Sequence, residues 1–319
     1  MLIGVLTSGG DAPGMNAAVR AVVRTTIFHG HQVVGIRRGL HGLLQSDMFL
    51  MDTSSVADII YRGGTILYTG RSDEFKTADG QKRAFGILRD SAIDGLVLIG
   101  GDGTVRAAKV IDDAGVPVIC VPGTIDNDIA HSDESIGFDT AVNTICDAVD
   151  KVRDTAEALE RTFIVEVMGR ESGFLALASG VACGAESIMV PEFGIDYERV
   201  CQRLRNAVAR RKRHSIIILA EGAGNAPDVA AEIRRRTGYD LRVITLGHIQ
   251  RGGTPTAQDR VLASTLGYQA VELLVQGVHG KLVGHENGKV SIVDLGVAAS
   301  SKKTLNQESF RMAEVLSAT

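Results

Sequence analysis

Short β-branched apolar runs recur along the chain, and a helical spacing of apolar positions follows most of them. Residues 2–6 precede a helix over 15–28, and residues 32–36 precede a looped stretch and then a helix over 54–61. Residues 95–99 lead into a helix over 105–114, and residues 117–121 toward a long helix over 139–159. Further strand-like runs occupy 163–167, 188–190, 216–220 and 243–246. Strands alternating with helices of this length need crossover connections, so the pattern predicts an α/β protein with mainly parallel sheets covered on both faces. The unbroken runs Leu96-Val97-Leu98-Ile99 and Ile216-Ile217-Ile218-Leu219 fit strands buried on both sides. In the helix from Asp139, an apolar stripe forms from Val142, Ile145, Val149, Val152, Ala156 and Leu159. The opposite face, with Asp147, Asp150, Lys151, Arg153 and Asp154, reads as solvated.

A chain of 319 residues fits roughly two domains, each with its own core. No proline- or serine-rich linker divides it, so two closely packed halves with a cleft between them are expected. An apolar share of 45% and a charged share of 23% exclude disorder. No apolar run approaches the roughly 18 residues of a membrane span. The start at residues 2–6 shows no basic segment or signal core, which predicts a cytoplasmic protein. A net charge of −4 with 4% aromatics argues against nucleic-acid binding. Cys120, Cys146, Cys183 and Cys201 form no C-x-x-C pair and read as isolated buried thiols. The 37 glycines cluster at junctions between apolar runs, where backbone must turn sharply or approach a phosphate.

Three such junctions carry chemistry. Thr7-Ser8-Gly9-Gly10-Asp11-Ala12-Pro13-Gly14 joins a strand to a helix whose N-terminus suits an anion, although a ligand-free tight turn fits as well. Gly100-Gly101-Asp102-Gly103-Thr104 ends a buried strand with glycines that admit a nucleotide and a carboxylate suited to Mg²⁺ through water. Pro122-Gly123-Thr124-Ile125-Asp126-Asn127-Asp128 offers a base and a neighbouring carboxylate for a hydroxyl nucleophile; a surface Asx turn is the plain alternative. Arg161, Arg170, Arg242, His248 and Arg251 sit beside strand edges and would suit a sugar phosphate if they converge. The runs 210–213 and 234–236 read as solvated helix ends.

Together TSGGDAPGMN, GGDGT, PGTIDND, VEVMGR and GHIQRGG, in this order, resemble the bacterial ATP-dependent 6-phosphofructokinases over nearly the whole chain. The resemblance implies two Rossmann-like three-layer lobes. An ATP-binding domain would take 1–137 plus 250–300, and a fructose-6-phosphate-binding domain 138–249 plus 301–319. It implies a glycolytic kinase that phosphorylates the 1-hydroxyl of fructose 6-phosphate. Asp126 would be the base, Asp128 its assistant, and Thr124 a contact to the transferring group. Gly10, Arg71, Ser72, Gly101, Asp102, Gly103 and Thr104 fall where the family binds ATP, with Asp102 serving Mg²⁺. Arg71 and Arg170 would offset transition-state charge. Met168, Gly169, Arg170 and Glu221 would hold the sugar, and His248 and Arg251 its 6-phosphate. Arg161 and Arg242 would reach that phosphate from a neighbouring subunit of a homotetramer.

Pyrophosphate-using relatives carry an aspartate at the position of Gly103 and a lysine at that of Gly123, so ATP is the expected donor. Arg20, Arg24, Arg153, Glu186, Arg210 and Lys212 match an ADP or phosphoenolpyruvate effector set. Thr53 stands where an arginine is usual, a loss of about 1.5–3 kcal/mol of phosphate binding that predicts a weak allosteric response. A non-catalytic regulatory subunit would have lost Asp126, Asp102 or Arg170, and all three are present. A dinucleotide oxidoreductase would want G-x-G-x-x-G, which the Gly9-Gly10 loop does not supply.

Overall fold

The computed structural model describes residues 1–317. The chain forms two compact units, Met1–Thr140 with Arg251–Lys303, and Ala141–Gln250 with the C-terminal residues from Thr304. The first opens with β1 (Leu2–Ser8), α1 (Met15–Phe28), β2 (Gln32–Ile36), α2 (Gly39–Leu44) and β3 (Met48–Met51). It continues through α3 (Ala78–Asp90), β4 (Gly95–Gly100), α4 (Asp102–Asp113) and β5 (Val118–Pro122); α5 (Phe138–Leu159) begins at its boundary and lies mostly in the second unit. The second unit holds β6 (Thr162–Val167), α6 (Phe174–Ala182), β7 (Ser187–Met189), α7 (Tyr197–Ala209), β8 (Ser215–Ala220), α8 (Ala226–Thr237) and β9 (Leu241–Thr245). The first unit resumes with α9 (Ala257–Val275), β10 (Lys281–Glu286), β11 (Lys289–Asp294) and α10 (Leu295–Ser300), and α11 (Gln307–Leu316) belongs to the second.

Among the described residues the first unit carries a seven-stranded sheet of order β11-β10-β5-β4-β1-β2-β3. The central strands run parallel, while β3 and β11 close the edges antiparallel to β2 and β10. Leu96 and Leu98 of β4 face a core shared with Leu43, Leu88, Val105 and Ile111 from α2, α3 and α4. Alternation sends the equally buried Val97 and Ile99 to the other face, which explains why β4 is apolar throughout. The second unit has four parallel strands in the order β7-β8-β6-β9. There Ile164, Ile217 and Leu219 pack with Val200, Leu204, Val229 and Ile233 of α7 and α8. No helix among the described residues is long and apolar enough to cross a membrane.

Three expectations need correction. The helix expected over 54–61 is only a 3₁₀ turn at Ser54–Val56. Asp52 Oδ1 accepts from Ser55 N at 2.8 Å, and Asp58 takes a left-handed backbone (φ 52°) that ends helical propagation. The long helix buries Ile145, Val149 and Ala156 but leaves Leu159 about half exposed, at 51%. The thiols are not all isolated and buried: Cys146 and Cys183 are half-buried and share a hydrogen bond, which lowers the Cys146 pKa and raises that of Cys183. Cys120 does match, and burial pushes its thiol up to about 12.

Candidate active site

The chain leaves β1 toward β2 on one side, whereas β4 leads to β5 on the other, so the strand order reverses between β1 and β4. In open parallel sheets such a reversal opens a crevice beyond the strand carboxyl ends, where ligands bind. Register brings the ends level: Ser8 pairs Gly100, and Gly100 pairs Pro122. The three glycine junctions therefore leave adjacent strands at one edge of the first unit.

These loops are stitched together. Thr104 Oγ1 donates to Ser8 O at 3.2 Å, and Gly123 N donates to Gly100 O at 2.9 Å. A Cβ on Gly100 would come within 2.4 Å of Ser8 O, so only glycine allows this approach. Gly9 donates to Gly70 O at 3.2 Å and accepts from Thr69 Oγ1 at 3.0 Å, which brings the segment holding Arg71 and Ser72 beside the first turn. Arg71 is exposed, and Ser72 Oγ accepts from Phe75 N at 3.2 Å. Helix α4 starts behind Gly101 without a side-chain cap, so its first N–H groups suit an anion at that edge. A Cβ on Gly103 would meet nothing within 4 Å.

The third loop is no surface turn. Thr124, Asp126 and Asn127 are buried, at 6%, 1% and 5% exposure. Thr124 Oγ1 accepts from Asp126 N at 3.2 Å, and Ser135 Oγ donates to Thr124 O at 2.7 Å. The Thr124 side chain lies 3.5 Å from where a Gly101 Cβ would sit. The residues singled out for a phosphoryl donor and for proton abstraction are thus neighbours on two adjacent strand ends.

In the second unit, Val167 pairs Ala220 and Glu166 pairs Thr245, so the loops with Met168, Gly169, Arg170, Glu221 and His248 share the carboxyl edge. Glu221 Oε1 accepts from Gly169 N at 3.1 Å and Arg170 N at 2.7 Å. Arg161 and Arg242 lie at the opposite edge, where Thr162 pairs Leu241. Both approach Asp240, at 3.7 and 3.2 Å. Within the second unit Arg161 and Arg242 thus lie at the opposite strand ends from Arg170 and His248, while Arg251 belongs to the first unit, where it donates to Asp11 O at 3.0 Å. Its guanidinium packs against Gly10, whose Cβ would meet Arg251 Nη1 at 2.5 Å.

Of the effector candidates, Lys212 pairs with Glu186, and Arg153 donates to Cys183 O. Arg210 Nε turns back to Asn206 O at 3.3 Å. Arg20 and Arg24 lie one turn apart on α1 of the first unit, and burial followed by Arg24 lowers the Arg20 pKa.

Gln250 went unassigned in the sequence. Fully buried, it accepts from Met168 N at 3.1 Å through Oε1 and donates to Gly247 O at 2.9 Å through Nε2, tying two loops at the carboxyl edge of the second unit's sheet. Its place inside the GHIQRGG motif was the available signal.

Asp102, a partly exposed carboxylate on the first turn of α4, pairs with Arg106 one turn on. Among the described residues no three His, Cys, Asp or Glu side chains gather into a metal cage. A single carboxylate beside an anion-binding turn fits a magnesium ion that keeps most of its waters and arrives on phosphate oxygens.

The sequence matches the family described as Phosphofructokinase over residues 2–274. It is 53% identical to an ATP-dependent 6-phosphofructokinase of Halothermothrix orenii and 54% identical to one of Clostridioides difficile, each over 99% of both chains. The structure superposes on phosphofructokinase from Saccharomyces cerevisiae with a TM-score of 0.87 and 33% identity, covering 99% of this chain and 48% of that one. A pyrophosphate-dependent phosphofructokinase of Nitrosospira multiformis shares the fold alone, with a TM-score of 0.87 at 22% identity over 96% of this chain and 86% of that one.

Proposed function

The chain belongs to the phosphofructokinase family, and from that premise we propose that it transfers the γ-phosphoryl group of ATP to the 1-hydroxyl of D-fructose 6-phosphate, giving fructose 1,6-bisphosphate and ADP. The observation that carries this reading is the placement of Thr124 against Gly101, which sets the base loop beside the donor loop. The sugar oxygen forms a bond to the γ-phosphorus as the bond to the β-phosphate oxygen breaks. The hydroxyl proton goes to Asp126, and the electron pair leaves with ADP. The first unit is then the ATP-binding domain, using Gly10, Arg71, Ser72 and Gly101 to Thr104. The second unit binds the sugar through Met168, Gly169, Arg170 and Glu221, with His248 on the 6-phosphate. Arg251 exchanges its bond to Asp11 O for the same phosphate. Asp102 would hold Mg²⁺, which neutralises phosphate charge when bound.

A coupled assay with fructose 6-phosphate and Mg²⁺, run with ATP and then with pyrophosphate, tests this reading. Turnover with ATP alone supports it, and turnover with pyrophosphate alone overturns it. In the same assay phosphoenolpyruvate should shift the curve only weakly, since Thr53 supplies no phosphate contact from an arginine. Strong sigmoidal inhibition at low concentration would refute that part.

Arg161 and Arg242 lie a strand length, about 17 Å, from the His248 edge of their own sheet. Their assignment to the 6-phosphate is therefore a proposal about assembly: each acts on a neighbouring subunit of a homotetramer. Arg242→Ala should raise the KM for fructose 6-phosphate by about tenfold or more with kcat little changed, the signature of lost ground-state binding. An unchanged KM removes Arg242 from that role.

A further inference from the structure

Beyond α10 the chain returns over the loop that carries Asp126. There Lys303 Nζ donates to the Asp133 carbonyl at 2.8 Å, and Asn127 Nδ2 donates to that same oxygen at 3.0 Å. Asn127 stands between Asp126 and Asp128 with a left-handed backbone (φ 52°), which asparagine adopts more readily than other non-glycine residues. Its Oδ1 accepts from Ser135 Oγ at 3.2 Å, and Ser135 Oγ also reaches Thr124 O. The turn that presents Asp126 is thus fastened at one carbonyl, and Lys303 supplies its charged donor.

We infer that Lys303 is a positioning residue for phosphoryl transfer, its ammonium fixing the Asp133 carbonyl and facing Asp128 so that the base loop keeps one geometry. The inference rests on Asp126 as the proton acceptor.

The charges around Lys303 fit this role. Asp133, Asp128 and Glu134 all face it from the loop and favour its protonated form, but burial outweighs them and brings its pKa down to about 8. On the same segment, Ser301 Oγ meets His131 Nε2 at 3.3 Å. The β10–β11 hairpin braces the loop with neutral backbone groups: Asn287 N donates to Asp133 Oδ2 at 2.7 Å, and His285 O accepts from Asp133 N at 2.6 Å. The sign follows. Below the pKa the ammonium donates and balances Asp128. Above it, the neutral amine weakens both interactions, so turnover falls as pH rises through about 8.

The test compares Lys303→Met and Lys303→Arg with the unaltered enzyme. The methionine variant should lose about tenfold in kcat with both KM values within about twofold, and arginine should restore kcat at pH 7. The unaltered enzyme should show a fall in kcat above about pH 8, and the arginine variant, whose guanidinium stays charged, should lack it. Wild-type kcat in Lys303→Met, or an alkaline fall that persists in Lys303→Arg, overturns the inference. If the methionine variant does not fold, the pH profile of the arginine variant decides alone. An inactive Asp126→Ser beside an unaffected Lys303→Met would reject Lys303 alone, whereas an active Asp126→Ser would reject the base assignment on which it stands.

Discussion

Asp126→Ser is expected to lower kcat by about 10²- to 10⁴-fold, the range spanned by loss of a positioned general base, while both substrates bind nearly as before. At 1.36 kcal/mol per decade this is about 3–5 kcal/mol of transition-state stabilisation. The loop should survive the change. Its shape is held by backbone and neighbouring groups: Asp126 N on Thr124 Oγ1, Ser135 Oγ on Thr124 O, and Asn127 Nδ2 on Asp133 O. None of these uses the Asp126 carboxylate. Asp128 is a poor substitute, since it faces the Lys303 ammonium. Steady-state kcat and KM for both substrates, with a thermal melt to confirm folding, give the result. Near-normal turnover would remove Asp126 from the role of proton acceptor.

What the sequence disclosed follows from how local each signal is. β1, β4 and β5 were legible because strands buried on both faces leave unbroken apolar runs, as in Leu96 to Ile99. The hairpin strands β10 and β11 were not. β10 buries only Leu282, Val283 and Gly284, β11 buries no position, and neither run is long or apolar enough to stand out from a loop. Their turn did carry a signal: Asn287 and Gly288 both take positive φ, as the two-residue hairpin that links antiparallel strands demands. The expected helix over 54–61 failed because the apolar spacing of Val56, Ile59 and Ile60 says nothing of the Asp52 turn or the left-handed Asp58 that interrupt it.

The site divides the same way. Glycines at the ends of apolar runs marked the three loops, because close approach of backbones restricts residue type. Gln250 and Lys303 act on backbone groups 82 and 170 positions away, and a bond to a distant backbone amide or carbonyl leaves no pattern in the residues around it. Gly123 was read for the lysine it lacks. The structure adds a steric reason, since a Cβ there would lie 2.9 Å from Ile99 Cγ2. A donor-switching lysine at 123 therefore needs a shift in the β4 core as well.

Gly103→Asp should cut kcat/KM for ATP by about 10²-fold while leaving the fold intact. Position 103 is the second residue of α4, and a Cβ there meets nothing within 4 Å, so the side chain itself creates no clash. A carboxylate in the first turn also complements the helix dipole, by about 0.3–1 kcal/mol. Any penalty must then arise with the ligand. A second carboxylate beside Asp102, near a phosphate chain at about 4 Å and an effective dielectric near 20, is opposed by up to about 4 kcal/mol, and solvent screening brings this nearer 3. Because the repulsion acts on bound ATP before and during transfer, it should appear mainly as a raised KM for ATP, with the KM for fructose 6-phosphate unmoved. Pyrophosphate should not become a good donor, because Gly123 still lacks a cation and its surroundings refuse a Cβ. Kinetics with each donor, beside a melting curve no lower than that of the parent, would bear this out. An ATP kcat/KM within about threefold of the parent would show that the space at Gly103 does not select the phosphoryl donor.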